Sequence, residues 1–421
     1  MEHPELQRRL DTLWRMESPR LVARLARMLG DLDSVEELAQ DTLVAALEHW
    51  PKQGIPDNPA AWLMATAQRR AIDRLRQRRL HAQRQVQVLD EQQEHVMGAD
   101  QADHADDIGD DLLRLVFVAC HPLLPPDARV ALTLRLLCGL TTAEIARAYL
   151  QPEATIAQRI TRAKRLLAER QVPFEVPRRQ ELPQRLQSVL DVVYLVFNEG
   201  YAASSGEDWM RPALCEEALR LGRVLHGLIP AAVPVLGLLA LMELQASRLR
   251  ARSGSDGTPV LLMEQDRSRW DWLQISRGVA ALDKATALGG TDDPYVLQAM
   301  IAACHAQARR AEQTDWSRIA TLYGQLAEVS PSPVIELNRA VAVAQAHGAQ
   351  QAWPLVEALA DDARLQGYAP LAAVRGDLLD RLGRSAEARA AFTQAAALSG
   401  NARERDILLA RAAGVPSGTA R

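Results

Sequence analysis

Between Thr141 and Leu167 the apolar residues fall into two short helical registers separated by a break. In the second, Ile156, Ile160, Ala163 and Leu167 stand at i, i+4, i+7 and i+11, one stripe down a single helix face. Thr141 and Glu144 have capping-box spacing ahead of the first. Gln151-Pro152 divides the two, because proline lacks an amide donor and restricts the residue before it. Further upstream, Val35, Leu38, Ala39 and Ala46 repeat at helical spacing after a second capping box, Ser34 with Glu37. Asn58-Pro59 opens another helix in which Ala71, Ile72 and Leu75 point inward. Residues 1–30 are amphipathic and helical throughout. The longest apolar run, Leu228 to Met242, contains Pro230 and Pro234, is too short for a bilayer, and reads as a buried core helix. No alternating segment bounded by turns emerges anywhere, so the expectation is an all-α protein.

Composition changes this picture less than the order of the charges does. The 421 residues carry a net charge of −4, which alone argues against a nucleic-acid binder. The signs are segregated, however. Seven arginines (69, 70, 74, 76, 78, 79 and 84) stand between Arg69 and Arg84 against one acid, Asp73. Nine acids then follow between Asp90 and Asp111 with no Lys or Arg, and with so little apolar content that the stretch reads as a flexible tether. The expected organisation is a first helical domain (1–88), an acidic linker (89–109), a helix-turn-helix domain (110–172), a helical domain beyond Pro173 and Pro177 (173–285), and a repeat region (286–421). Cys120, Cys138, Cys215 and Cys304 are scattered with no CxxC pair, as suits a reducing cytosol, and offer no zinc framework. The opening residues MEHPELQRRLDTLW are charged and amphipathic, unlike a secretory leader.

Three surfaces are candidates for function. On the helix after Pro152, Thr155, Gln158, Arg159, Arg162, Lys164 and Arg165 are long donors with little acid among them, as a recognition helix presents to a major groove. The alternative is a basic amphipathic helix of an all-helical protein. The arginine run is a phosphate footprint, and Trp62 near its start is either core or a platform for an unpaired base. Asp33, Glu36, Glu37, Gln40 and Asp41 form an acidic outer face that, taken alone, is solvated surface. Glu199, Asp208, Asp266 and Asp271 are the nearest thing to an acid pair or metal site. Gly200 reads better as a helix stop and QDRSRWD as a polar contact between helices. His226 and Cys304-His305 have no ligand-like neighbours. With no nucleophile–base set and no phosphate-cradling loop, neither an enzyme nor a cofactor is expected.

After Tyr295 a repeat emerges. Gly376, Ala388, Phe392 and Ala395 have the small–small–aromatic–small spacing of a tetratricopeptide hairpin. Ala340, Ala352, Val356 and Leu359, then Ile319, Tyr323 and Leu326, repeat it at intervals of about 34 residues. One such hairpin cannot bury its own face, so stacked copies forming a short superhelix are expected.

Over roughly residues 10–170 the chain resembles a bacterial sigma factor of the extracytoplasmic-function type, which keeps only the sigma-2 and sigma-4 domains. DLDSVEELAQDTLVAALEHW is similar to the helix that docks on the clamp helices of core RNA polymerase. NPAAWLMATAQRRAIDRLRQRR is similar to the loop and helix that read and melt the −10 element, and LPPDARVALTLRLLCGLTTAEIARAYLQPEATIAQRITRAKRLL to the domain that reads −35. Gln68-Arg69 stands where many members carry Arg-Asn. By this resemblance Asp33, Glu36, Glu37, Gln40 and Asp41, with Leu38, Leu43 and Val44, would contact core polymerase. Asn58, Trp62, Gln68, Arg69, Arg70, Asp73, Arg74 and Arg76 would serve −10, and Thr155, Gln158, Arg159, Arg162, Lys164 and Arg165 would serve −35. The acidic tether would lie in the polymerase channel. The long tail resembles the extension of one sigma-factor group, which implies a regulatory or partner-binding role. The partners implied are core RNA polymerase and promoter DNA, in the cytoplasm, with no membrane and an unspecified tail partner. Two alternatives remain at this point: a helix-turn-helix regulator with a sensor tail that never engages polymerase, and a repeat scaffold with a basic docking module.

Overall fold

The computed structural model describes residues 3–86, 105–149, 151–203, 208–254 and 258–414, and every long element in it is helical. The chain divides into two compact units, residues 1–192 and 193–421.

Unit 1 is built around α1 (His3–Leu29), whose Leu21, Val22, Leu25 and Ala26 are buried. Gly30, at φ +67°, takes the left-handed turn that closes α1, its amide donating to the Ala26 carbonyl at 2.9 Å. Next come α2 (Leu32–Gln53), α3 (Pro59–Val86) and α4 (Ala105–Ala119), all three packed on α1. α2 is capped by Asp31, whose carboxylate accepts from the amides of Asp33 and Ser34 at 3.1 and 3.3 Å. This corrects the expected Ser34–Glu37 capping box. Asp31 reaches the orphan amides one turn earlier, which leaves Ser34 inside the helix as a buried acceptor for Arg78.

The helix-turn-helix follows as α5 (Pro126–Leu136), α6 (Thr142–Ala148) and α7 (Glu153–Glu169), each in contact with the others. α8 (Leu182–Tyr201) begins in unit 1, where the Ser188 hydroxyl accepts from Arg129 and donates to the Cys120 carbonyl, both at 2.6 Å. The acidic tether lies outside the described residues from 89 to 104, but its last acid does not behave as linker. Asp111 is 0 % exposed on α4 and meets three guanidiniums: Arg114 at 2.7 Å, Arg24 at 3.5 Å and Arg27 at 3.6 Å. Burial pushes its carboxyl above the usual carboxylate range, while the arginines pull it back.

In unit 2, α9 (Pro212–Leu228) and α11 (Trp272–Ala287) pack on either side of α10 (Val233–Ala246), the buried apolar run, with α12 (Pro294–Gln307) against the same helix. Gly200 does not stop α8, which runs on to Tyr201. A Cβ there would fall 2.6 Å from the backbone nitrogen of Cys215, so the glycine lets α9 approach. Arg267 is buried with no ion pair among the described residues: it donates to the carbonyls of His305 and Ala308 at 2.9 and 2.6 Å and to the Thr314 hydroxyl at 3.1 Å.

The chain then stacks hairpin on hairpin: α13 (Trp316–Val329), α14 (Pro333–His347), α15 (Ala349–Leu359), α16 (Ala369–Arg381), α17 (Ser385–Leu398) and α18 (Ala402–Ala412), each against the next. The small and apolar repeat positions are the ones that pack. Ala340, Ala352, Val356 and Leu359 share one buried cluster, and a Cβ on Gly376 would fall 2.7 Å from the Phe392 ring. Asn401 caps α18 and also sends its amide back to the carbonyls of Asp208 and Ala203, at 3.0 and 3.4 Å.

Candidate nucleic-acid interface

α7 sorts its side chains as the periodicity requires. Ile156, Ile160, Ala163 and Leu167 are buried, and Thr155, Gln158, Arg162 and Arg165 face solvent. The capping box on α6 is present in full: the Thr141 hydroxyl accepts from the Glu144 amide at 3.1 Å, and the Glu144 carboxylate accepts from the Thr141 amide at 2.8 Å. Its role is to fix the angle at which α6 enters the turn before α7. Arg159 is half-buried and reaches Asp127 on α5 at 3.5 Å, whereas Arg165 pairs along its own helix, with Glu169 at 3.4 Å. An exposed i,i+4 pair of that kind is weak and readily exchanged for a phosphate.

Lys164 departs from this pattern. Its side chain is 10 % exposed and its ammonium turns toward α2, bonding Asp33 at 3.0 Å and Glu36 more closely still. Glu36, 16 % exposed, also accepts from Arg135 of α5 at 2.6 Å. A residue expected to face −35 DNA is thus held by two expected to face another protein. Arg135 was not singled out in the sequence. Its partner lies 99 positions away, and nothing local marks it.

The same acidic helix engages the arginine run. α2 and α3 lie antiparallel, with rungs Asp31–Arg78 at 2.8 Å, Glu37–Arg74 at 2.7 Å and Asp41–Arg70 at 3.4 Å. The seven arginines therefore do not form one footprint. At 100° per residue, Arg70, Arg74 and Arg78 share the face toward α2, while Arg69 and Arg76 share another. Arg69, Arg76 and Arg79 are exposed, Arg76 lying 3.6 Å from Asp73. The side chain of Arg84 lies outside the described residues.

For Asp31, burial acts to raise the pKa, but hydrogen bonds from Ser34 and Arg78 outweigh it and hold the carboxyl at about 2. This rung contributes fully above the ordinary value near 3.8 and is lost as pH falls toward 2. A hydrogen bond from Arg74 lowers the Glu37 carboxyl in the same direction.

The remaining expected contacts divide. Asn58 is exposed, and its side chain accepts from the Ala61 amide at 3.0 Å as the cap of α3. Trp62 is half-buried and meets Trp50 in a T-shaped arrangement, ring centroids 5.5 Å apart, so part of the ring is taken by its own domain. Gln68 is half-buried. Leu38 is 4 % exposed in the core of α2, a correction to its expected role in contacting a partner, because its side chain is already spent on unit 1. Gln40 and Val44 are exposed and Leu43 is half-buried.

In unit 2 three of the four acids considered as a metal pair are tied up separately. Glu199 pairs with Arg211, Asp266 accepts from Ser268, and Asp271 caps α11. Among the described residues no group of His, Cys, Asp and Glu is gathered to hold a metal ion, and no helix is long and apolar enough to cross a membrane.

Residues 13–81 match the family model of sigma-70 region 2, and residues 114–167 that of sigma-70 region 4. Residues 185–286 match a family of unknown function. An uncharacterized protein of Rhizobium meliloti (strain 1021) is 44% identical over 390 residues, 92% of this chain and 91% of that protein. No solved structure matches.

Proposed function

This chain belongs to the sigma-70 family of RNA polymerase sigma factors, with regions 2 and 4 followed by a long helical extension, and from that premise we propose which of its surfaces do the work. Its general role is promoter recognition in partnership with core RNA polymerase, and the regions that match are not those of an enzyme family. We propose that α7 reads the −35 element through Thr155, Gln158, Arg159, Arg162 and Arg165. Arg69, Asp73 and Arg76, with Asn58, Trp62 and Gln68, serve −10. The outer face of α2, namely Asp33, Glu36, Glu37, Gln40, Asp41, Leu43 and Val44, meets core polymerase. Arg70, Arg74 and Lys164 join these surfaces once their pairing with α2 is given up. The observation that carries the reading is the division of α7 into a buried apolar stripe and an outward side on which Thr155, Gln158, Arg162 and Arg165 are exposed. Phosphate contacts from the arginines supply affinity and register, and Thr155 and Gln158 supply base choice. The cytoplasm is the compartment this role requires, and the stacked hairpins of the extension suit a protein partner or regulatory surface.

One observation favours the rival reading of a DNA-binding regulator that ignores polymerase: α2 spends its acids on the chain's own cations. Run-off transcription with purified core enzyme and no other sigma factor separates the two. Promoter-specific transcripts are expected, and promoter binding without transcripts would establish the rival. Arg162→Ala is expected to flatten the plot of log affinity against log salt by about one unit, the loss of one phosphate contact. An unchanged slope would remove Arg162 from the interface.

A further inference from the structure

Unit 2 contains a groove that promoter recognition does not use. α10 forms its floor with Leu236, Leu239 and Glu243. α9 raises one wall with Arg223 and His226, and α11 the other with Arg277, Ala280, Ala281 and Lys284. The space encloses about 480 Å³, within the ~300–1,000 Å³ of small-molecule sites. It lies in the segment that matches the family of unknown function.

The groove is positive and its floor is apolar. α10 is buried on nearly every side, and Glu243, 2 % exposed, is its single carboxylate. One oxygen of Glu243 receives both the Nε and a terminal nitrogen of Arg223, at 2.8 and 2.7 Å. A buried acid of that kind holds a guanidinium in a set direction, leaving its outer donors for something else. Among the described residues, the second oxygen of Glu243 and the Nδ1 of His226 are buried without a hydrogen-bond partner. On the facing wall Arg277 and Lys284 stand two turns apart, roughly 10 Å along the axis. Both are exposed, and neither has an ion pair among the described residues. Three cations thus meet one carboxylate. Burial holds His226 below its ordinary pKa and the Lys284 charge adds to that, so the two walls lie close enough to feel each other. Ala280 and Ala281 keep the space between them open.

We propose that this groove binds a small organic anion: a carboxylate or phosphate headgroup held by Arg223, Arg277 and Lys284, on an apolar body lying over Leu236 and Leu239. The cations demand the negative head, and an apolar body leaves water by packing against exposed Ala280 and half-buried Ala281, above Leu236 and Leu239, which are themselves buried. The ordered guanidinium of Arg223 supplies a two-pronged contact that either headgroup accepts.

Isothermal titration calorimetry on the full chain tests this with four probes: octanoate, octyl phosphate, octanol and inorganic phosphate. Saturable binding of octanoate or octyl phosphate is expected, at least about tenfold tighter than octanol or inorganic phosphate, and the better of the two identifies the headgroup. The Arg277→Ala/Lys284→Ala variant is expected to bind at least about tenfold more weakly with unchanged helix content, because both side chains are exposed. Three results would each overturn the proposal. They are failure of both amphiphilic anions, equal binding by octanol or inorganic phosphate, and a double variant that binds as well as the parent. None of them bears on the sigma-factor reading, which rests on unit 1.

Discussion

Asp111→Ala is expected to destabilise unit 1 by about 3–5 kcal/mol, the usual cost of removing one partner from a buried ion cluster. Arg24, only 12 % exposed, and Arg27 on α1 would lose the buried counter-ion they share, and the contact of α1 with α4 would lose the carboxylate that joins the two helices. Alanine also leaves a void where a carboxylate had filled the space beside Arg114. Asp111→Asn keeps the shape and one acceptor while losing the charge, and should fall between the two. Urea unfolding followed by circular dichroism is the measurement. A parent-like midpoint for the alanine variant would mean that the cluster contributes nothing net, as buried ion pairs sometimes do when desolvation offsets attraction.

The second large effect is functional and comes as a pair of opposite signs. Lys164→Ala is expected to tighten binding to core polymerase, whereas Glu36→Lys is expected to weaken it. Both substitutions break the contact between α7 and α2. Only the second also removes a side chain assigned to the polymerase surface. If α2 must shed Lys164 before it docks, the free energy of that contact is subtracted from every docking event. For a part-buried, charge-assisted bond this is about 1.5–3 kcal/mol, roughly tenfold or more in affinity. Fluorescence anisotropy with labelled core enzyme reads both variants. Matching losses in the two would show that Lys164 supports the docking surface, and no change in either would take α2 out of the interface.

How much of this was legible in the sequence depends on the range over which each feature is decided. The stripe from Ile156 to Leu167 and the Thr141–Glu144 cap are decided within one or two turns, and they stand where the spacing put them. The buried α10 and the contact of Gly376 with Phe392 are of the same kind. Lys164 could not be read in this way. Its neighbours make it one more cation on a basic helix, and only partners 128 and 131 positions away turn it inward. Asp111 was hidden by its company, the last acid of a run that composition marks as linker, until α4 carried it onto the arginines of α1. Leu38 illustrates a third limit. Helical periodicity gives the direction of a side chain but not the depth of the core it enters, so one leucine was counted on both sides of α2.

The amide that Asn401 sends back to the carbonyls of Ala203 and Asp208 bears on how unit 2 melts. A linear array of hairpins frays from its free end, each unit leaning only on its neighbour. Here α18 is fastened to Ala203 and Asp208 at the front of unit 2, ahead of the helices on which the hairpins stack, so the two ends of the unit form a circuit rather than a ladder. Amide exchange in α18 should therefore slow and quicken together with that of the residues just after Tyr201, and shortening the chain before Asn401 should loosen the front of the unit as much as its back.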